Sequence, residues 1–193
     1  MRIMETKVYK YEELSEDAKE SAREWYVNGL EYFWKDDNSN VLEAFTDIFD
    51  FIKIGEWEYG YRNFINFSLD LDDTILELSG NRLAKWLYNN YYDQIIKGKY
   101  YHKNKTSRHS KVIMQQDCNL TGYYIDMDTL DPMFTFLDNQ WHTWGIEDII
   151  RKCLNNWIRA CQQDYEAQFE TECVEKTISC NEYEFTEAGK FIA

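Results

Sequence analysis

Proline is almost missing from this chain: Pro132 is the only one in 193 residues, and glycine occurs just eight times. A chain so poor in both is no flexible linker or low-complexity tract, and it reads as continuously folded. No stretch approaches the ~18–20 apolar residues that span a bilayer. The opening Met1-Arg2-Ile3-Met4-Glu5 lacks the apolar core of a secretory signal, so a reducing cytoplasm and no membrane are expected. Paired cysteines are lacking too. Cys118, Cys153, Cys161, Cys173 and Cys180 are odd in number and contain no CxxC, which points to free thiols. The spacings of eight and seven between the last four predict small apolar residues stacked on helix faces. His102, His109 and His142 form no HxxxH or HExxH pattern. With no Gly-rich phosphate loop and no GxSxG, neither a metal nor a cofactor is expected.

Acid and aromatic side chains are abundant. The formal charge is −14, and 17% of the residues are Phe, Trp or Tyr. Such a chain is repelled by nucleic acid and by anionic membrane and attracted to basic surfaces, which in a cell are mostly those that hold nucleic acid. Charge is also segregated. From Asn81 to Gln116 eight basic residues face a single Asp93, whereas from Asp117 to Asp148 the charged residues are all Asp or Glu. The basic segment Lys97–Lys111, with Tyr100, Tyr101 and His102 inside it, has the make-up of a phosphate- and base-contacting stretch. Against the charge of the whole chain it reads as a solvated loop, and direct nucleic-acid binding is not expected.

Period and punctuation predict the elements. Residues 7–11 read as a short strand. Ser15 caps a helix that opens on Glu16 and Asp17 and runs its apolar stripe through Ala18, Ala22, Trp25, Leu30 and Phe33. A second helix is expected from Asn40, with Glu43 completing a capping box, Val41, Phe45, Ile48 and Ile52 buried, and Gly55 ending it. Alternation at Trp57, Tyr59 and Tyr61, and again at Ile65, Phe67, Leu69 and Leu71, predicts a hairpin or two adjoining strands. Leu83, Leu87, Tyr91 and Ile95 predict a helix over 80–97, stopped by Gly98. Short strands are expected at 111–116 and 122–127. Ile146, Ile150, Cys153, Trp157 and Cys161 predict a long helix over 146–169. Thr171 is expected to cap a short last helix, and Tyr183 and Phe185 to alternate in a closing strand. No repeat and no boundary is evident. The expectation is a single α+β domain over 1–193, with helices at both ends around a small, mostly antiparallel sheet.

One motif carries potential chemistry. Residues 67–75, Phe-Ser-Leu-Asp-Leu-Asp-Asp-Thr-Ile, resemble the first motif of haloacid-dehalogenase-type phosphohydrolases, a strand followed by DxDxT. The resemblance implies Asp70 as nucleophile, Asp72 as general acid/base, Thr74 as loop support and Mg²⁺ as cofactor. The rest of that family's pattern is missing. Two helices precede the strand, the second acidic pair (Asp126 and Asp128) lacks the usual arrangement, and the βαβ alternation is absent. An acidic turn is the favoured reading, and no catalytic residue is assigned.

The other acidic segments are interleaved with aromatics: Asp36-Asp37, Glu56-Trp57-Glu58, Asp70 with Asp72-Asp73, and Asp126, Asp128 and Asp131. On one face they would imitate the negative field and stacking surfaces of nucleic acid, which makes these residues the candidate partner-binding set.

The two ends add a resemblance. Val8 to Tyr26 (VYKYEELSEDAKESAREWY) and Asn181 to Gly189 (NEYEFTEAG) resemble the opening and ending of a family of small phage and prophage proteins, some labelled antitoxin-like. The family brings no catalytic residues to carry over. It implies mobile-element origin, and small acidic phage proteins often disable host defence, CRISPR effectors included. The expected function is non-catalytic inhibition of a basic, nucleic-acid-handling host defence protein, of anti-CRISPR type. The alternatives are an antitoxin-like binder and a Mg²⁺-dependent phosphohydrolase using Asp70 and Asp72.

Overall fold

A computed structural model describes residues 7–95, 119–139 and 143–192. The basic segment Lys97–Lys111, the expected strand at 111–116, Gly98, Cys118 and all three histidines lie outside the described residues. What is described is an α+β fold of seven α-helices and two antiparallel sheets, with helices toward both ends of the chain.

Contacts divide the chain into two compact units. One contains the residues up to Phe33 and those from Gln163 onward; the other runs from Trp34 to Gln162. No boundary shows in the sequence because the smaller unit is assembled from both ends of the chain. Its limits fall between adjacent aromatics and inside a helix, where no linker marks them.

The terminal unit contains β1 (Tyr9–Lys10), a 3₁₀ turn (Tyr11–Glu13), α1 (Glu16–Asn28), α7 (Thr171–Cys180), β4 (Glu184–Phe185) and β5 (Phe191–Ile192). Ser15 caps α1 as its sequence demands, its hydroxyl accepting from the Ala18 N–H at 3.4 Å. The helix stops at Asn28, so Leu30 and Phe33 do not continue its stripe, and Phe33 is 76% exposed. Glu170, one residue before the expected Thr171, holds the capping position of α7. The sheet order is β1-β4-β5; β5 was not foreseen because two residues are too few to show a period. Ala18, Ala22, Val174, Ile178 and Phe185 are buried together, and Trp25 stacks on Phe191 at 4.1 Å between ring centroids. On the outside of this core the Tyr11 hydroxyl donates to Glu175 at 2.9 Å and accepts from Arg23 at 3.0 Å. Burial first, and the bond to Glu175 second, push the Tyr11 phenol up to about 12. Glu175 is held below the usual carboxylate range by its bonds from Tyr11 and Arg23.

The larger unit contains α2 (Lys35–Ile48), β2 (Ile52–Glu58), β3 (Phe64–Leu69), α3 (Asp73–Leu76), α4 (Gly80–Ile95), α5 (Ile125–Asp138) and most of α6 (Ile146–Ala167). Helix α2 begins five residues before the expected Asn40. Asn38 is fully buried there and tied to other elements: its carbonyl accepts from the Trp157 indole N–H at 3.0 Å, and its amide donates to the Tyr59 hydroxyl at 3.3 Å. These partners are distant in sequence, so no local cap signals this start. Gly55 does not end α2. It lies within β2, and Ile52, expected on the helix, opens that strand. β2 and β3 form the expected hairpin, pairing Ile52 with Leu69 at one end and Glu58 with Phe64 at the other. Along α6 the whole expected stripe of Ile146, Ile150, Cys153, Trp157 and Cys161 is fully buried. Burial pushes the Cys153 thiol far up, leaving it an inert apolar group. Cys173 and Cys180, by contrast, are exposed on α7 and are not the packed pair their spacing suggested.

Candidate functional site

The expected strand at 122–127 is instead a turn followed by the start of α5. Ile125, Thr129, Met133 and Phe136 are buried on one side of that helix at helical spacing. Two features hid it. Tyr124-Ile-Asp-Met-Asp imitates the alternation of a strand, and Pro132 falls in the helix interior. Proline cannot donate to the carbonyl four residues back, here that of Asp128. Asn156 of α6 supplies the missing donor, its amide reaching the Asp128 carbonyl at 3.1 Å. The neighbouring helix thus satisfies the group that Pro132 orphans.

Asp126 anchors the turn. Its carboxylate is fully buried and accepts from the backbone N–H groups of Leu120 (3.0 Å), Thr121 (2.7 Å) and Gly122 (2.8 Å), and from the Thr121 hydroxyl (3.0 Å). Three successive N–H groups converging on one anion form a nest, and the positive φ of Gly122, 94°, is part of that curvature. Asp126 is therefore not a surface contact, as its place among the candidate residues supposed. It positions the turn that carries Tyr123 and Tyr124. Asp126→Asn turns one acceptor oxygen into a donor facing N–H groups and removes the charge, and should cost about 1.5–3 kcal/mol. Urea unfolding checks this; an unchanged midpoint would mean that the turn is held by something else.

The Tyr123 ring stacks on Trp34, the residue just before α2, at 6.3 Å and 24°, and lies 4.7 Å from the Tyr124 ring. The starts of α2 and α5 are thereby joined, and with them two of the acidic segments. Asp36 and Asp37 occupy the first turn of α2, Asp128 that of α5, and Asp131 lies one turn further on. Carboxylates in a first turn complement the helix dipole, which accounts for their helical preference and leaves their charge facing outward. Tyr124, Met127, Asp128 and Asp131, spaced i, i+3, i+4, i+7, line the side of α5 away from its buried stripe. Helix α5 contains four Asp and no Lys or Arg.

The remaining candidates are placed differently. Trp57 is half-buried and packs edge-on against Trp157 at 5.2 Å, so it belongs to the core more than to a contact surface. Glu56 is exposed and Glu58 half-buried, at the hairpin end whose Tyr59 reaches Asn38 of α2. Asp70, Asp72 and Asp73 are exposed beyond the other end of β3. Five residue steps of strand separate the two ends, roughly 17 Å. The acidic segments at the two ends of the hairpin therefore do not form one contiguous cluster. Asp70 follows an antiparallel strand, its N–H donating to the Phe51 carbonyl at 2.8 Å, and Asp72 is the residue just before the four-residue α3, with no capping bond from its side chain. Among the described residues no group of three or more His, Cys, Asp or Glu stands close enough to hold a metal ion.

The terminal unit offers an open cleft of about 540 Å³ between α1 and α7, lined by Glu20, Arg23, Glu24, Val27, Phe169 and neighbouring residues. Arg23 is already engaged by Glu20 and Glu175, and no nucleophile and base converge there. No family model, curated protein or solved structure matches the chain. No helix among the described residues is long and apolar enough to cross a membrane.

Proposed function

We propose that this chain is a non-catalytic binding protein of mobile-element origin. It inhibits a basic, nucleic-acid-handling host defence protein, in the manner of an anti-CRISPR, by presenting acidic surface to the groove where that protein holds nucleic acid. Charge carries the reading: the chain bears −14, and its Asp117–Asp148 stretch has acidic residues and no Lys or Arg. A surface of that sign is steered toward a basic groove and occupies it in place of phosphates. The terminal resemblance supports the mobile-element origin, and the host cytoplasm is where the two proteins meet. An antitoxin-like binder would use the same acidic surface against a basic toxin.

An interaction screen against host nucleases, CRISPR effectors and toxins tests the proposal. It should return a partner with a basic groove, bound roughly tenfold or more weakly when salt is raised from physiological to several times that level, because screening shortens the reach of charge below about 8 Å. No partner, or one whose affinity ignores salt, overturns the proposal. In the same assay Asp70→Asn and Asp72→Asn should each change affinity by no more than about threefold, since each removes one exposed charge. Mg²⁺-dependent hydrolysis of an aryl phosphate, lost by orders of magnitude on Asp70→Asn, would establish the phosphohydrolase instead.

A further inference from the structure

Three large apolar side chains that folding leaves in water lie together where α2 and α5 begin. Trp34 is 52% exposed, Tyr124 47% and Met127 45%. They form one patch: Trp34 stacks on Tyr123, Tyr123 lies against Tyr124, and Met127 follows one helical turn later, its N–H donating to the Tyr124 carbonyl at 3.2 Å. Trp, Tyr and Met are the residue types that concentrate in the desolvated centres of protein interfaces. Trp34 joins α2 to this turn through Tyr123, yet about half of its surface stays in water. Beside the patch, on the same side of α5, stand Asp128 and Asp131, and neither is in an ion pair among the described residues. Lys35 follows Trp34 in the chain, and on α6 Arg159 donates to Asn156 at 3.4 Å.

We infer that this aromatic patch and its aspartates form the surface that takes the partner, and that the partner supplies an arginine-bearing segment. The inference rests on the binding proposal above and narrows it to one surface and one chemistry. Charge complementarity selects a cation, and the aromatics select which one. A guanidinium is planar and weakly hydrated; it stacks on an indole or phenol face while its fork of N–H groups reaches the neighbouring carboxylates. A lysine ammonium has the same charge without the plane or the fork. Asp70, Asp72 and Asp73 have no such patch and serve as the comparison.

The test uses the full chain and two labelled probes, an oligo-arginine peptide and an oligo-lysine peptide of equal length, followed by fluorescence anisotropy at low and high salt. The wild type should bind the arginine peptide about tenfold more tightly than the lysine peptide, the scale of one or two cation–π contacts. Trp34→Ala with Tyr124→Ala should bring the arginine peptide down to the lysine level. Asp70→Asn, Asp72→Asn and Asp73→Asn combined should leave the arginine preference standing. Since Trp34 precedes α2, a second pair, Tyr124→Ser with Met127→Ser, changes only outward positions of α5, and melting curves confirm that it folds; it too should lose the preference. Equal binding of both peptides by the wild type overturns this surface alone, as does a preference that survives in the α5 pair. Failure of both peptides to bind at low salt overturns the binding proposal with it.

Discussion

Trp157→Ala should cost the larger unit about 3–5 kcal/mol, the usual loss when a fully buried large aromatic is truncated. Among the described residues no other fully buried side chain has a greater volume, and Trp157 joins three elements. Its ring meets Trp57 edge-on at 5.2 Å and Tyr59 at 6.4 Å, and its N–H holds the Asn38 carbonyl near the start of α2. Alanine would leave a cavity lined by the hairpin and take the indole donor from the Asn38 carbonyl, and the two losses add. The melting temperature should drop by roughly 10–20 °C. Trp157→Phe separates the contributions. It keeps most of the apolar volume and loses the hydrogen bond, so it should cost about 1–2 kcal/mol. An alanine variant that melts with the parent would mean that α6 does not bury this face.

The second large effect belongs to the terminal unit. Gly189 closes the turn between β4 and β5 with φ at +76°, and its N–H donates to the Thr186 carbonyl at 2.9 Å. A Cβ placed there would stand 2.0 Å from the Ala18 carbonyl oxygen and 2.8 Å from its carbon, both backbone atoms of α1. No rotamer relieves such a clash, so the turn must lift away from the helix and carry β5, with Phe191, off Trp25. Gly189→Ala should cost about 3 kcal/mol or more, combining left-handed strain with lost packing. Gly122→Ala provides the control. That glycine also has positive φ, 94°, yet nothing lies within 4 Å of its would-be Cβ, so only the strain of about 1–2 kcal/mol remains. Hydrogen exchange at the β4–β5 amides should accelerate for Gly189→Ala and stay unchanged for Gly122→Ala. Equal costs for the two variants would show that the turn does not pack on α1 as closely as described.

Much of this architecture is legible in the residues because it is local. Ser15 with Glu16 and Asp17 marks a helix start through bonds that reach only three residues. The stripe from Ile146 to Cys161 declares its helix because 3.6-residue periodicity needs no partner to be visible. The period-two runs at Trp57, Tyr59 and Tyr61 and at Ile65 to Leu71 likewise predict the hairpin, although β2 ends at Glu58 and leaves Tyr59 and Tyr61 in the connection, and β3 ends at Leu69. Charge is legible too, since −14 and an Asp117–Asp148 stretch without Lys or Arg are properties of composition.

Tertiary structure decided the rest, mostly through partners distant in the chain and in one case through the curvature of a turn. Helix α5 holds Pro132 because Asn156, 28 residues beyond Asp128, donates to the carbonyl that proline leaves orphaned. Helix α2 starts early, and Asn38 in its first turns is bonded by Trp157 and Tyr59 rather than by a local cap. Asp126 reads as one more surface carboxylate until three N–H groups close around it, whereas Asp128, two residues later, faces outward. That difference follows from a turn whose curvature depends on Gly122, and no alternation pattern encodes it. The meeting of Trp34 with Tyr123, 89 positions apart, likewise depends on how two helices pack. Residue types set which groups are acidic, aromatic or helix-forming, because these are properties of single side chains and near neighbours. Which of them share a surface and which are buried depends on long-range packing, which a linear pattern does not record.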